Sequence, residues 1–159
     1  MATLRVEPGF DQDRNPAARA VSSRLAPDLS RVLVVGQSQI NRVVVSKIVE
    51  RSGLRPVSET PESAVRVLPL VFPGLVILDG GSENRDCEAL ISGIAALRRI
   101  SGKPLPAVIL LSNRNGNPQT LSLTECIDAV VTKPFTTEQL QPVVDRVIET
   151  ARRLEAGKA

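Results

Sequence analysis

The sequence predicts an α/β domain in which a doubly wound parallel sheet carries helices on both faces. Three observations lead there. From Arg31 onward short apolar runs alternate with helical stretches, as in successive βα units. Several of the runs, Val108–Leu111 above all, are continuously apolar, the pattern of strands buried on both faces. The material for the core is aliphatic: 42% of the residues are apolar but only 2% aromatic, with three Phe and neither Trp nor Tyr. At 159 residues the chain suits one compact domain plus an appendage.

Residues 1–30 come first and lack periodicity. Arg5, Arg14, Arg19 and Arg24 balance Glu7, Asp11, Asp13 and Asp28, and Pro8, Pro16 and Pro27 interrupt the run. The segment reads as a flexible extension with room for a short helix around Asn15–Leu25. The domain is expected over 31–155, with a tail at 156–159. Val32–Val35 is the first strand. Gln39–Ser52 is the first helix, with Ile40, Val43, Val44, Ile48 and Val49 on its apolar side and Gly53 as its stop.

Arg55–Ser58 is a weak second strand. Thr60-Pro61 supplies an N-cap and a first-turn proline for a helix to about Leu68, which Pro69 and Pro73 end. Leu75–Leu78 is the third strand, followed by a glycine-containing loop over Asp79–Arg85 and a helix over roughly Asp86–Ile100. Pro106–Leu111 is the fourth strand. Asn117-Pro118 caps a short helix, and Ala129–Val131 is the fifth strand. Thr136-Thr137-Glu138-Gln139 has capping-box spacing for a last helix to about Glu155, in which Pro142 predicts a kink or a later start.

Composition then removes several classes of function. The chain contains no His, which rules out imidazole bases, imidazole metal ligands and a phosphohistidine of its own. Cys87 and Cys126 stand outside any C-x-x-C pattern and read as reduced, mostly buried thiols of a cytoplasmic protein. The net charge of +3 is spread over residues 31–159 without a basic block, and stacking aromatics are lacking, so neither nucleic acid nor membrane is an expected partner. Arg146, Arg152, Arg153 and Lys158 are explained by the dipole of the last helix. No stretch has the length of a membrane span. Gly80-Gly81 and Asn115-Gly116-Asn117 fit no phosphate-loop or dinucleotide fingerprint and read as turns.

In an open parallel sheet a ligand site forms beyond the carboxyl ends of the strands. Gly36 and Gln37 follow the first strand, Asp79 the third, Ser112 and Asn113 the fourth, and Thr132, Lys133 and Pro134 the fifth. With strand order 2-1-3-4-5, Asp79, Ser112 and Lys133 converge on one edge. A carboxylate, a hydroxyl and an ammonium then share a pocket.

These segments carry a resemblance. Val-Leu-Val-Val-Gly36-Gln37-Ser38-Gln39-Ile40-Asn41-Arg42, Leu-Val-Ile-Leu-Asp79, Leu-Leu-Ser112 and Thr-Lys133-Pro134-Phe135 occur in the order of the response-regulator receiver domain of bacterial two-component signalling, and the sequence resembles that family over residues 31 to about 155. The resemblance implies a flavodoxin-like (βα)5 fold. It also implies that Asp79 is the phosphoacceptor, taking a phosphoryl group from a phosphohistidine on a histidine kinase or a histidine phosphotransfer protein, while Ser112 and Lys133 contact phosphoryl oxygens. The Lys133-Pro134 peptide would be cis. Such a module is not an enzyme beyond its own phosphorylation.

The departures from the family are as informative. Gly36 and Gln37 stand where receivers resemble one another in an acidic pair that helps to hold Mg2+, so binding of Mg2+ is expected to be weak or absent, with Asp79 and the carbonyl of Gly81 as the remaining ligands. Glu83 reads as a solvated loop residue rather than a replacement ligand. Loss of the two acids leaves Lys133 without competing partners and predicts a direct Asp79–Lys133 ion pair. Val130 occupies the position of the aromatic that switches rotamers in the family. Cys87 stands in place of a glycine, and the loop lacks the usual proline at Glu83.

The chain is therefore expected to be a stand-alone, atypical receiver that signals by contact with a downstream protein. Two versions stand side by side: a phosphorelay acceptor using Asp79, and a phosphorylation-independent pseudo-receiver that binds its partner constitutively. An enzyme acting on a small phosphorylated metabolite would need a base and gripping groups that a His-free pocket does not offer.

Overall fold

The computed structural model describes residues 26–79, 88–112 and 126–157. Nine elements follow in order: β1 Asp28–Gly36, α1 Gln39–Arg51, β2 Arg55–Glu59, α2 Pro61–Val71, β3 Pro73–Asp79, α3 Glu88–Ser101, β4 Ala107–Ser112, β5 Ala129–Thr132 and α4 Thr137–Gly157. The strands form one parallel sheet in the order β2-β1-β3-β4-β5. This is the doubly wound, flavodoxin-like topology that the sequence predicts.

Alternation along the strands divides the core between the two faces. Val32, Val34, Leu75, Ile77, Ile109 and Leu111 meet Val45, Ile48 and Val49 of α1 and Leu140, Val144, Val147, Ile148 and Ala151 of α4. Leu33, Val35, Val76, Leu78, Val108 and Leu110 meet Ala64, Leu68 and Phe72 around α2 and Leu90, Ile91, Ile94 and Leu97 of α3. Every residue of β3 and β4 is buried. At about 1.5–3 kcal/mol for each large aliphatic side chain, these two central strands supply much of the driving force that fixes the sheet.

Local chemistry explains the helix boundaries. Ser38 caps α1 by accepting from the Asn41 amide, and Gly53 follows its end at φ 80°. Thr60 and Pro61 open α2 as expected, but Pro69 does not end it. The helix continues to Val71, because the amide that Pro69 lacks would have served the carbonyl of Val65, a residue on the solvent side. The stop comes at Phe72, a non-glycine residue in the left-handed region at φ 43°, whose almost fully buried ring offsets the strain. The capping box of α4 forms reciprocally: the Gln139 amide donates to Thr136 Oγ1, and the Thr136 amide donates to Gln139 Oε1. Pro142 lies inside α4 without delaying its start.

Several expectations are corrected. The first strand begins at Asp28, ahead of Arg31. Ile40, Val43 and Val44 do not line the buried side of α1; they are exposed, Ile40 to 75%, and the buried stripe is Val45, Ile48 and Val49. Helix α4 runs to Gly157, so Arg152 and Arg153 precede its last turn, which holds no basic residue; Arg153 pairs with Glu149 instead. Cys126 is a half-buried free thiol packed on the second core. Cys87, Lys158, the helix expected after Asn117, the extension 1–25 and the turns at Gly80-Gly81 and Asn115-Gly116-Asn117 lie outside the described residues. Among the described residues no helix is long and apolar enough to cross a membrane.

Candidate functional site

The register of the sheet assembles the site. Gly36 pairs with Asp79 across β1 and β3, Ser112 pairs with Thr132 across β4 and β5, and the Lys133 amide donates to the Ser112 carbonyl at 2.7 Å. Asp79, Ser112 and Lys133 therefore share the carboxyl edge, as the sequence implies. The Lys133–Pro134 peptide is cis, as is Leu105–Pro106.

Asp79 is only 6% exposed and Ser112 only 3%. A carboxylate so removed from water needs partners that replace its hydration. Lys133 Nζ lies 2.6 Å from Asp79 Oδ1, which is the ion pair expected from the loss of the acidic pair. The second oxygen is held by a residue to which the sequence reading gave no role. Asn41 Nδ2 donates to Asp79 Oδ2 at 3.0 Å. An ionised carboxylate only accepts, so the amide must present its nitrogen.

The geometry of α1 brings Asn41 there. It lies one turn ahead of Val45 on the stripe that α1 turns toward the sheet, so burial of Val45 and Val49 aims the first turn at Asp79. Arg42 follows: its Nη1 donates to the Gly36 carbonyl at 2.5 Å and its Nε to Ser58 Oγ at 2.9 Å. The signal for both was available in principle, as polar residues on the first turn after β1, at the edge where ligands bind.

The degenerate positions behave differently from each other. A Cβ on Gly36 would come within 3.1 Å of the Asp79 carbonyl oxygen and 3.2 Å of its Cβ, so Asp79 packs directly over this glycine. Gln37 is exposed, and its amide reaches Glu62 Oε2 at 3.1 Å rather than Asp79. The Glu62 carboxyl is held below its ordinary value, first by its own backbone amide and then by Gln37. Val130 is 43% exposed on edge strand β5. Beside the site a cleft of about 410 Å³ is lined by Asn41, Val44, Lys133, Pro134 and Phe135. A second cleft of about 290 Å³, against α4 and the amino ends of β4 and β5, is remote from this chemistry.

These donors do not suit Mg2+, which demands several oxygen ligands in near-octahedral array. Among the described residues Asp79 is the single carboxylate at the site, and no group of three His, Cys, Asp or Glu side chains stands ready to hold a metal. Asn41 meets Asp79 with a hydrogen-bond donor, whereas a cation would call for another oxygen. Gly81 and Glu83 lie outside the described residues.

Solved structures with the same architecture are receiver domains. A signal receiver domain from Vibrio parahaemolyticus superposes with a TM-score of 0.67 at 19% identity, covering 82% of this chain and 98% of its own. The receiver domain of a signal transduction histidine kinase from Syntrophus aciditrophicus gives a TM-score of 0.62 at 27% identity, covering 78% and 93%. The receiver domain of a sensor histidine kinase from Pseudomonas aeruginosa, which holds a magnesium ion in its active-site cleft, gives 0.61 at 20% identity, covering 78% and 99%. No protein-family model matches the sequence, and no curated protein matches it. Fold and neighbours together define a parallel α/β module. The fold is that of the response-regulator receiver domain.

Proposed function

We propose that the chain is an atypical receiver of two-component signalling that acts by binding a downstream protein and whose surface is set without an aspartyl phosphate. One observation carries this reading: both carboxylate oxygens of Asp79 are engaged by side chains of the chain itself, Oδ1 by Lys133 and Oδ2 by Asn41. A phosphoryl group joining either oxygen would have to displace the side chain that holds it. The missing acidic pair at Gly36 and Gln37 and the valine at position 130 point the same way, since neither a metal nor a rotating aromatic then links Asp79 to the surface.

The contact surface follows from the site. Val44 lines the cleft with Pro134 and Phe135, and Ile40 and Val43 are exposed on the same helix. The apolar wall that Val44, Pro134 and Phe135 give the cleft suits a protein partner better than a small polar ligand.

A second reading keeps Asp79 as phosphoacceptor from a histidine kinase or a histidine phosphotransfer protein, with Ser112 and Lys133 contacting the phosphoryl group. It is favoured by the position of Asp79 at the end of β3, on the same edge as Ser112 and Lys133. Intact mass after incubation with a small phosphodonor, with and without Mg2+, decides between them. No adduct is expected. An adduct present in the wild type and lost in Asp79→Ala would replace the first reading by the second.

A further inference from the structure

We infer that Asn41 and Lys133, supported by Arg42, stand in for a divalent cation at Asp79, and that Asn41 is the residue that keeps such a cation out. The inference rests on the receiver reading of this pocket but not on how the surface signals.

The argument starts from charge and space. A buried carboxylate has to be neutralised. Position 36 offers no side chain for the purpose, because even a Cβ there crowds the backbone of Asp79. Position 37 is turned toward Glu62. The neutralising groups come instead from β5 and from α1. Lys133 brings one positive charge to Oδ1, and Arg42 brings a second to the carbonyl of Gly36, the residue paired with Asp79 across the sheet. Together they match the charge of a divalent ion without its coordination sphere.

Asn41 fills the remaining place. Its Nδ2 donates to Oδ2 at 3.0 Å, so a hydrogen-bond donor already occupies that oxygen. An amide nitrogen repels a metal ion where a carboxylate would recruit it. Asn41 is nearly isosteric with Asp, so Asn41→Asp puts a second carboxylate within hydrogen-bonding distance of Asp79. Two carboxylates this close repel each other unless a cation or a proton lies between them.

The test follows unfolding of wild type, Asn41→Ala and Asn41→Asp in EDTA and in Mg2+ or Mn2+, with titration calorimetry for the affinity of each ion. Wild type is expected to show the same midpoint in chelator and in metal. Asn41→Ala, with the amide gone, is expected to rise in metal by less than Asn41→Asp does, and an Asn41→Ala protein that stays indifferent to both ions overturns the part given to Asn41. Asn41→Asp is expected to lose stability in chelator, to regain it with metal, and to bind Mg2+ about tenfold or more tightly than wild type. A wild-type protein that binds Mg2+ as well as the variant does, or an Asn41→Asp protein that ignores both ions, overturns the inference. If Asn41→Asp does not fold, paramagnetic broadening by Mn2+ decides on the wild type. Unbroadened Asn41 and Asp79 resonances support the inference, and broadened ones overturn it. None of these readouts involves phosphorylation, so their failure is distinct from that of the proposed function.

Discussion

The two ends of the sheet each bury a charge, and they hold it by different means. At the carboxyl edge the Asp79 carboxylate is bonded, among the described residues, to side chains: Lys133 and Asn41. At the amino edge the Arg98 guanidinium is bonded largely to backbone. It donates to the Pro106 carbonyl from Nε and Nη2, and from Nη2 to the Cys126 carbonyl and Asp128 Oδ2. Asp128 in turn accepts from the Val108 amide and donates its own amide to the Val108 carbonyl. Contacts between side chains can be exchanged while the chain stays in place, whereas a guanidinium wired to carbonyls fixes the approach of α3 to β4 and β5. The carboxyl edge is thereby left adjustable and the amino edge is made a foundation.

The sharpest way to break this contrast is at the foundation. Arg98→Met removes a cation whose side chain is 16% exposed, and it strands two carbonyls and the Asp128 carboxylate. A loss of about 3 kcal/mol is expected, because two part-buried backbone carbonyls lose a charged donor at once. Urea or thermal unfolding measures it. A loss no larger than that of an ordinary surface substitution would mean that the amino edge is as adjustable as the carboxyl edge.

The next effect is at the site. Lys133→Met leaves Asp79 with Asn41 as its partner among the described residues and should cost about 2 kcal/mol, less than Arg98→Met because a backbone carbonyl is not also abandoned. In an Asp79→Asn background the same substitution should cost much less, giving a coupling of about 1 kcal/mol or more in the double-mutant cycle. Independent, additive effects would show that the 2.6 Å contact does not hold the site.

Asp79, Ser112 and Lys133 were legible in the sequence because strand order alone places the residues after β3, β4 and β5 on one edge, and the apolar runs mark where those strands end. The partners from α1 were not. Val43, Val44 and Val45 run consecutively, so hydrophobicity leaves the phase of the helix open, and the apolar stripe that includes Ile40 is as good a fit as the one that is buried. Only packing against the sheet settles the phase, and the phase is what brings the Asn41 amide to Asp79. Pro69 misled for a related reason: whether a missing amide matters depends on which side of α2 it would have served. Arg98 gave little signal, since apart from Asp128 its acceptors are backbone carbonyls that no side-chain pattern encodes.

The smallest effect probes the amino edge where solvent reaches it. The Asp28 carboxyl is held below its ordinary value of 3.8, first by the Ser30 hydroxyl at 2.6 Å, with help from the Ser30 amide and from Arg31 and Arg55, against a desolvation that works the other way. A carboxyl depressed in the folded state adds stability above its unfolded value, and that increment disappears as the pH falls through the lower, folded one. Asp28→Asn should therefore cost a little at neutral pH, under about 1 kcal/mol for a side chain this open to water. The wild-type and variant curves should meet as the pH drops below 3.8 and through the folded value. Because the Ser30 hydroxyl ranks ahead of both arginines, most of the difference should survive about 1 M salt, where the ion pairs are screened. A difference that vanished in salt would assign the carboxyl to the arginines instead, making this corner of the amino edge a surface ion pair rather than part of the hydrogen-bonded foundation.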